Sequence, residues 1–519
     1  MGCTCRHDGA GVEDRISGEA PVNRNAVIAG QAGFSFAGFL FGQVARFGYN
    51  LVVARLLGVD ALGVYALAIA VIQISEVLAI AGLDSGILRF VSVQSHDPFR
   101  QRGAIGSAIK TALALSLFVA LLLLSFSSQI TSLLNGSRLL QLTLCCYAAA
   151  IPFNVATVLF GHAMQGFQQL KPKIIATQIL SPLLLLLLTL LLRYTAGHDA
   201  ALFFPFVLAG VGAFFWIRPR LEAITGVLPS DILHARTDKT MMAYALPFMA
   251  VSLLSMMSHW LDVMMLGMLT DTATVGLYHP AARTAGLLRS VLLAFTGIAA
   301  PMIADLHAKS QNAEIGRIYK MVTRWIVMVV IPPAIIFMAL PEPVLSVFGD
   351  RFAAGGATAL FLLTIASFLQ ATFGLSATVL AMTGYARLSL LNALGALGFQ
   401  VVLNLLLIPR MGLNGAALAT LLLFLLLSAL RLGEIQRLLK INPFGKALWK
   451  PLAAGLSCGA LLLVLRPWLL TLPSMAALGV GALLALSSYT VLMLLLKLEA
   501  EEREIILRYI PFLNKEPKR

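Results

Sequence analysis

Apolar segments of about 20 or more residues recur along the whole chain, each bounded by proline, glycine or charged residues. A helix needs about 20 apolar residues to cross a hydrocarbon core about 30 Å thick. Of the 519 residues, 59% are hydrophobic and only 12% are charged, whereas a soluble domain has roughly 25% charged residues. The pattern therefore predicts an all-α polytopic membrane protein.

Fourteen segments have the length and apolarity of membrane spans. They cover residues 26–57, 61–90, 104–128, 138–166, 174–194, 199–217, 241–269, 274–306, 316–340, 354–383, 386–408, 412–438, 447–465 and 474–496. Polar connections after the sixth and twelfth spans predict two six-helix lobes and a C-terminal helix pair. The predicted parts are a disordered cytoplasmic tail (1–25), an N-lobe (26–217), a cytoplasmic linker (218–240), a C-lobe (241–440), the final pair (441–497) and an amphipathic cytoplasmic tail (498–519).

The distribution of lysine and arginine predicts the orientation, because positive residues in short loops stay in the cytoplasm. With both termini inside, 29 of the 38 Lys and Arg residues lie on the cytoplasmic side, 6 lie outside and 3 lie within the membrane. The prediction is a multi-pass protein of the plasma (inner) membrane with both termini cytoplasmic. This topology accounts for most of the net charge of +14, so no nucleic-acid partner is expected.

A short repeat follows two of the predicted outer loops. The sequences "LGVYALA" (residues 62–68) and "VGLYHPA" (residues 275–281) both contain Gly-x-Tyr, at an offset of 213 residues. Both units begin on the same side of the membrane. The repeat therefore predicts two parallel lobes related by an axis along the membrane normal, with substrate held between them.

A polar stripe on the first span contains Arg46, about 16 Å below the outer end of that span at 1.5 Å per residue. An arginine at the bilayer centre costs on the order of 2.5–3.5 kcal/mol, so it should meet a partner or a water-filled cavity. Glu76 of the second span lies at a similar depth and is predicted to pair with Arg46. Arg55, at the outer boundary, is an interfacial residue. The stripe consists of Gln31, Ser35, Gln43, Arg46 and Asn50.

The seventh and eighth spans also carry charges at membrane depth. Asp262, on one helical face with His259, is predicted to pair with Arg283. Arg289 occupies the repeat position of Glu76 and has no carboxylate at its own depth, which suggests an anionic ligand. Two readings stay open: the arginines form structural ion pairs or line a substrate cavity. Glu76 is either a counter-ion only or a cation-coupling group, and His259 is either a hydrogen-bonded packing residue or part of the site.

Four segments resemble the polysaccharide or oligosaccharide flippase family, of the lipid-linked O-antigen type, within the multidrug/oligosaccharidyl-lipid/polysaccharide exporter superfamily. They are "VVARLLGVDALGVYALA" (52–68), "GLDSGILRFVS" (82–92), "DVMMLGMLTDTATVGLYHPAAR" (262–283) and "LNLLLIPRMGLNGAALAT" (403–420). The resemblance covers residues 26 to 440. The positions that match family motifs are Arg55, Gly58, Gly63, Tyr65, Arg89, Asp262, Pro409, Gly412 and Gly415. Related lipid II flippases usually have Arg-Asp in the first span, where this chain has Arg46-Phe47.

The resemblance implies two lobes around a central cavity and transport by alternating access. Family members move polyprenyl-(pyro)phosphate-linked oligosaccharides from the cytoplasmic to the outer leaflet for cell-surface polysaccharide biosynthesis. The implied partners are the lipid-linked oligosaccharide, membrane lipids, and the glycosyltransferases and polymerase of a glycan assembly pathway. Our hypothesis is that the pyrophosphate binds in the cavity, and that Glu76 or Asp262 couples transport to H⁺ or Na⁺. The expected substrate-binding residues are Gln43, Arg46, Asn50, Arg283 and Arg289, with no catalytic or metal-binding residues and no cofactor.

Two other functions compete with this hypothesis. A multidrug antiporter of the same superfamily would favour an acidic, aromatic cavity, which three intramembrane arginines oppose. A membrane-embedded glycan ligase needs catalytic groups in a sizeable outer loop, often paired carboxylates. The outer loops here are short, and the most acidic of them offers only Glu342 and Asp350. Enzymatic activity is therefore not expected.

Overall fold

The computed structural model describes residues 24–93, 97–235, 238–441 and 445–496, which form helices and no strands. The predicted tails, residues 1–25 and 498–519, lie outside the described residues except for the start of the first helix at Arg24. The all-α prediction is confirmed for the part of the chain that is described.

The described residues of the first half of the chain form nine α-helices and a π-helical segment that interrupts the fifth predicted span. They are α1 (Arg24–Ile80), α2 (Leu83–Val93), α3 (Pro98–Ser125), α4 (Ser127–Leu133), α5 (Arg138–Ala148), α6 (Ile151–Gly166), α7 (Lys171–Ile174), the π-helix (Ile175–Leu180), α8 (Ser181–Thr195) and α9 (His198–Thr225).

A short helix in the linker, α10 (Pro229–His234), precedes the second lobe. The second lobe contains α11 (Lys239–Leu269), α12 (Thr272–Ala308), α13 (Asn312–Ala339), α14 (Pro341–Ser346), α15 (Asp350–Phe373), α16 (Leu375–Met382), α17 (Ala386–Met411) and α18 (Leu413–Leu438). The final pair, α19 (Trp449–Leu469) and α20 (Ser474–Leu495), follows a 3₁₀ turn (Lys446–Leu448).

Among the described residues, twelve helical segments are long and apolar enough to cross a membrane, or thirteen with the bent pair α5 and α6. The first of them, Gly33–Val93, contains two spans. Gly58 interrupts α1 with φ 83° and ψ −173°, and the rings of Tyr49 and Tyr65 are only 5.0 Å apart. In a straight helix, residues so far apart in sequence would be separated by about 24 Å. The chain therefore reverses at Gly58, and the span count agrees with the predicted fourteen.

The turns lie at two ends of the bundle. The Gly58 end holds the reversal in α1 and the α8–α9 turn, where His198 Nε2 lies 3.1 Å from the carbonyl oxygen of Leu57. The opposite end holds the α9–α11 connection, in which α10 packs on α3. There the Lys110 ammonium donates to the carbonyl oxygens of Leu233 and Ala235, at 2.8 and 3.1 Å. The connection between the lobes is thus docked on the first lobe.

The repeated glycines bring the two lobes into reciprocal contact at the Gly58 end. A Cβ atom on Gly63 would lie 1.8 Å from the carbonyl oxygen of Thr272, and one on Gly276 would lie 2.1 Å from that of Val59. The same offset of 213 residues relates Gly63 to Gly276 and Val59 to Thr272. Such an exchange of contacts is the property of a two-fold interface. This reciprocal contact is what the predicted repeat requires at this end of the bundle.

Candidate functional site

Arg46 is held by the π-helix that follows α7. Its Nη2 donates to the carbonyl oxygen of Thr177 and to Oε1 of Gln178, at 3.3 and 3.0 Å, and its Nη1 donates to Oε1 of Gln43 at 3.3 Å. A π-helix closes wider turns than an α-helix and recurs at functional sites. Here its backbone and a side chain supply acceptors for a cation at membrane depth. The guanidinium is thereby fixed in one orientation while remaining partly exposed.

The predicted ion pair between Arg46 and Glu76 is not present among the described residues. Oε1 of Glu76 instead accepts a hydrogen bond from Nδ2 of Asn154 on α6, at 2.7 Å. Counting residues gives the depth of a side chain but not the neighbour that it faces. Arg46 faces the π-helix, whereas Glu76 faces α6 inside the first lobe.

The second predicted ion pair, Asp262 with Arg283, is likewise not formed in the described chain. The Asp262 carboxylate accepts hydrogen bonds from four neutral donors on α12, α17 and α18, which meet its hydrogen-bonding needs without a cation. The donors are Gln400 Nε2 at 2.8 Å, Asn404 Nδ2 at 2.8 Å, Thr420 Oγ1 at 2.6 Å and the Tyr278 hydroxyl at 3.2 Å.

A buried hydrogen bond between Asn50 and His279 joins the lobes on the Gly58 side of the arginines. Asn50 Nδ2 donates to the carbonyl oxygen of Arg46 at 2.7 Å, so Asn50 Oδ1 is the atom that faces His279 Nε2, at 3.0 Å. Nε2 of His279 therefore carries the proton. The Nε atom of Arg283, 3.4 Å from the same nitrogen, makes a close contact there rather than a second hydrogen bond.

Trp260 supports this junction from α11. Its Nε1 donates to Oε1 of Gln73 in the first lobe, at 3.0 Å. The indole also stacks with the ring of His279, at 6.2 Å and 5° between planes, and the guanidinium of Arg283 lies 5.1 Å from its centroid. His259 is exposed and meets Trp260 edge-on at 5.0 Å. Arg283 thus keeps most of its donors free while resting on an aromatic face.

Arg289 has no hydrogen-bond or ion-pair partner within the described part of the chain, although Asp262 and Tyr278 interact with it electrostatically. The charges of Arg46 and Arg289 both act on Arg283. All three guanidinium groups are partly exposed. The site is thus a cluster of three cations contributed by both lobes, in which Arg289 carries the most unused donors.

Contacts with α14 close the Gly58 end of the bundle. Arg55 donates from Nε to the carbonyl oxygen of Val347 at 2.7 Å and from Nη2 to that of Ser346 at 2.6 Å. At the start of α14, Glu342 forms an ion pair with Arg466 at 3.0 Å. Arg55, assigned from sequence to the interface, therefore also bridges the lobes. Glu342, which a glycan ligase would need as a free carboxylate, is engaged in this pair.

Several residues around the arginine cluster could not be identified from the sequence. The segment "IATQIL" (175–180) reads as an ordinary apolar span, and the sequence gives no indication of its π-helix or of the contact with Arg46. His279 lies inside the repeated motif at residues 275–281, and a histidine in that motif is the one sequence feature that could have indicated its contact with Asn50.

No group of three or more His, Cys, Asp or Glu residues in the described ranges is arranged to hold a metal ion.

Comparison with known proteins agrees with this architecture. The family model described as "Polysaccharide biosynthesis protein" matches residues 30–307, more than half of the chain. No curated protein matches the sequence.

Solved structures share the fold at low identity. The lipid II flippase MurJ, in an inward closed conformation, superposes with a TM-score of 0.73 at 14% identity, covering 88% of this chain and 97% of that chain. An inward-facing multidrug resistance MATE family transporter of the MOP superfamily gives a TM-score of 0.63 at 15% identity, covering 81% and 99%. A mutant of the Vibrio cholerae MATE transporter VcmN gives a TM-score of 0.56 at 15% identity, covering 80% and 98%.

Proposed function

Because this chain belongs to the polysaccharide biosynthesis protein family and has the fold of MOP-superfamily transporters, we propose that it is a flippase for a lipid-linked oligosaccharide. The cargo is a polyprenyl-(pyro)phosphate-linked oligosaccharide, moved from the cytoplasmic to the outer leaflet by alternating access. In this proposal the Gly58 end faces outward and both termini are cytoplasmic in the inner membrane. Residues 26–217 and 241–440 act as the two moving lobes.

The observation that carries the proposal is the cluster of Arg46, Arg283 and Arg289. A pyrophosphate crossing the membrane loses hydration that costs several kcal/mol or more per charge. Guanidinium groups replace that hydration with paired donors and stay charged at any physiological pH. Arg289, which has no hydrogen-bond partner among the described residues, is the primary phosphate ligand in this proposal.

The other predicted substrate residues have supporting roles. Gln43 and the π-helix hold Arg46 in place, so its side chain is ordered before the cargo arrives. Asn50 belongs to the closure with His279 rather than to the phosphate site. When the lobes rock, this closure must break to release cargo outward. In this proposal, the hydrogen bond between His279 and Asn50 is present when the Gly58 end is closed and broken when that end is open.

We propose Asp262 as the group that couples transport to an ion, with Glu76 as a second candidate. Carboxylate, amide and hydroxyl oxygens are suitable ligands for a hard cation such as Na⁺. The carboxylate of Asp262 lies among two amides and two hydroxyls, and Oδ1 of the fully buried Asn404 has no hydrogen-bond partner in the described chain. Binding of Na⁺ or H⁺ here would alter the packing of α11 against α17 and α18.

The test is a leaflet-resolved translocation assay with a purified lipid-linked oligosaccharide in proteoliposomes. We expect Arg289→Ala to reduce the initial rate at least tenfold, and Arg283→Ala and Arg46→Ala to reduce it as well. Arg410→Ala, at an exposed position near the Gly58 end, is the matched control and should retain the rate. Full activity in all three cluster variants would refute the proposal, as would efflux of cationic drugs without oligosaccharide transport.

A second assay separates the coupling ions. Proteoliposomes are given a Na⁺ gradient, a pH gradient or neither, with wild type, Asp262→Asn and Glu76→Gln compared. If Asp262 couples transport to an ion, Asp262→Asn should remove the response to one gradient. The translocation rate measured without a gradient should stay unchanged. If the response is lost only in Glu76→Gln, Glu76 is the coupling residue instead.

A further inference from the structure

A cavity of about 400 Å³ lies at the end of the bundle opposite Gly58, and none of its lining residues belongs to the arginine cluster. It opens between the start of α13 and the end of α18, within the second lobe. The lining combines three basic side chains with apolar ones. The lining residues are Asn312, Ala313, Gly316, Arg317, Lys320, Leu439, Lys440 and Ile441.

The charge of the cavity is positive and largely uncompensated. Arg317 has an exposed partner in Glu314, at 3.4 Å. Lys320 and Lys440 have no hydrogen-bond or ion-pair partner among the described residues. Lys440 also adopts φ 56°, the left-handed conformation that commonly ends a helix at the residue after its C-cap. Two exposed ammonium groups that lack a partner among the described residues therefore border one open cavity.

The amino end of α13 adds to the positive electrostatic potential of the cavity. The residue before the helix, Gln311, makes no side-chain cap hydrogen bond, and its carbonyl oxygen accepts from the amides of Glu314 and Ile315 at 3.1 and 3.2 Å. In the described chain, the two amides that precede these at the start of this 28-residue helix have no acceptor. The amino end of a helix carries a partial positive charge and favours anions. Lys320 of α13 and Lys440, two residues after the end of α18, reinforce that preference.

The floor of the cavity is apolar. Leu439 and Ile441 are buried, with 9% and 6% of their surface exposed, and a Cβ on Gly316 would lie 3.5 Å from the side chain of Ile441. The cavity is at the ends of two membrane spans, which is the level of lipid headgroups. Basic pockets between helices at that level are known to bind anionic headgroups.

We propose that this cavity binds a phosphate-bearing anion, with the phosphate contacting Lys320 and Lys440. The ligand could be presented by an anionic phospholipid or as free phosphate, and the apolar floor favours the phospholipid. The site is separate from the arginine cluster and does not depend on the proposed cargo. Binding would tie α13 to the end of α18 and stabilise the second lobe.

The test measures thermal unfolding of the full-length protein in detergent with one addition at a time. The additions are phosphatidylglycerol, phosphatidylcholine and inorganic phosphate. We expect phosphatidylglycerol to raise the melting temperature more than phosphatidylcholine does. The double variant Lys320→Ala/Lys440→Ala should lose this difference and bind phosphatidylglycerol on the order of tenfold more weakly. Lys171→Ala/Lys239→Ala, exposed at the same end but outside the cavity, is the control with equal charge loss.

Each outcome bears on the proposal. If the effect is specific to phosphatidylglycerol and to the Lys320/Lys440 pair, the ligand is a lipid headgroup. If inorganic phosphate gives the same shift, the ligand is free phosphate. The proposal is wrong if neither addition stabilises the wild type, or if both double variants respond as the wild type does. Native mass spectrometry of retained phosphatidylglycerol gives a second readout that is independent of stability.

Discussion

Oδ1 of Asn50 and Nε2 of His279 lie 3.0 Å apart across the boundary between the two lobes. Both side chains are buried, with 4% and 1% of their surface exposed. The bond connects the first span to α12 on the Gly58 side of the arginines. Opening that end would require this bond to break, so its strength contributes to the balance between the two states of the carrier.

Replacing His279 should shift this balance. In His279→Ala the buried Oδ1 of Asn50 loses its donor, which costs about 1–3 kcal/mol in the closed state. We expect a larger population with the Gly58 end open. The measurement is the distance between spin labels at Asp60 and Leu269, in a cysteine-free background, by pulsed electron paramagnetic resonance.

The matched variant is His279→Gln, whose amide can donate to Asn50 in place of the imidazole. It should keep the short-distance population close to that of the wild type. If His279→Ala and the wild type give the same distance distribution, the bond does not influence opening.

Sequence reasoning estimated the depth of the charges but did not identify their neighbours. The rise of a helix predicts comparable depths for Arg46 and Glu76. Their pairing failed because depth does not specify the side of the helix bundle, and because the π-helix at Ile175–Leu180 has no distinctive sequence. By contrast, Gly63 and Gly276 were predicted as repeat positions, and their reciprocal contact follows from that symmetry.

A double-mutant cycle measures the corrected pairing directly. The coupling between Arg46→Ala and Glu76→Gln in the free energy of unfolding should be near zero, within about 0.5 kcal/mol. The coupling between Arg46→Ala and Gln178→Ala should be about 0.5–3 kcal/mol, because these two side chains are hydrogen-bonded. A large Arg46–Glu76 coupling would instead support the original sequence prediction.

The close approach of the first span to the π-helix makes Gly42 sensitive to substitution. A Cβ atom there would lie 2.8 Å from both the carbonyl oxygen and Oε1 of Gln178. Gly42→Ala should therefore displace the acceptors of Arg46 and cost about 1–3 kcal/mol of stability. Gly33→Ala is the control in the same helix, since a Cβ at Gly33 meets nothing within 4 Å. The melting temperatures of the two variants in detergent provide the comparison, and equal values would contradict this packing.

The donors around Asp262 predict an unequal response to two substitutions. Asp262→Leu leaves Gln400, Asn404 and Thr420 without their acceptor, at about 1–3 kcal/mol for each buried group that stays unpaired. Asp262→Asn retains one acceptor oxygen and the volume of the side chain. We expect a large loss of melting temperature for Asp262→Leu and a smaller one for Asp262→Asn. The prediction fails if the leucine variant is the more stable of the two.

The start of α12 provides a test of pH dependence outside the membrane spans. Asp271 caps this helix, and its Oδ1 accepts from the backbone amide of Thr274 at 2.8 Å. Hydrogen bonds from the hydroxyl and the amide of Thr274 lower the pKa of Asp271 from its ordinary value. Replacing such a cap by alanine costs about 0.5–2 kcal/mol. We therefore expect Asp271→Ala to have a lower melting temperature at neutral pH.

The sign of the pH effect follows from the lowered pKa of Asp271. Its contribution to stability is complete above the unfolded-state pKa, about 3.9, and is lost as the pH falls through the folded-state pKa. The melting-temperature difference between wild type and Asp271→Ala should stay constant between about pH 8 and 5 and shrink below about pH 4. Asp271→Asn is the control, because asparagine caps a helix as well as aspartate does but does not titrate. A difference between wild type and Asp271→Ala that stays unchanged below pH 4 would show that the carboxylate's charge contributes nothing to the cap.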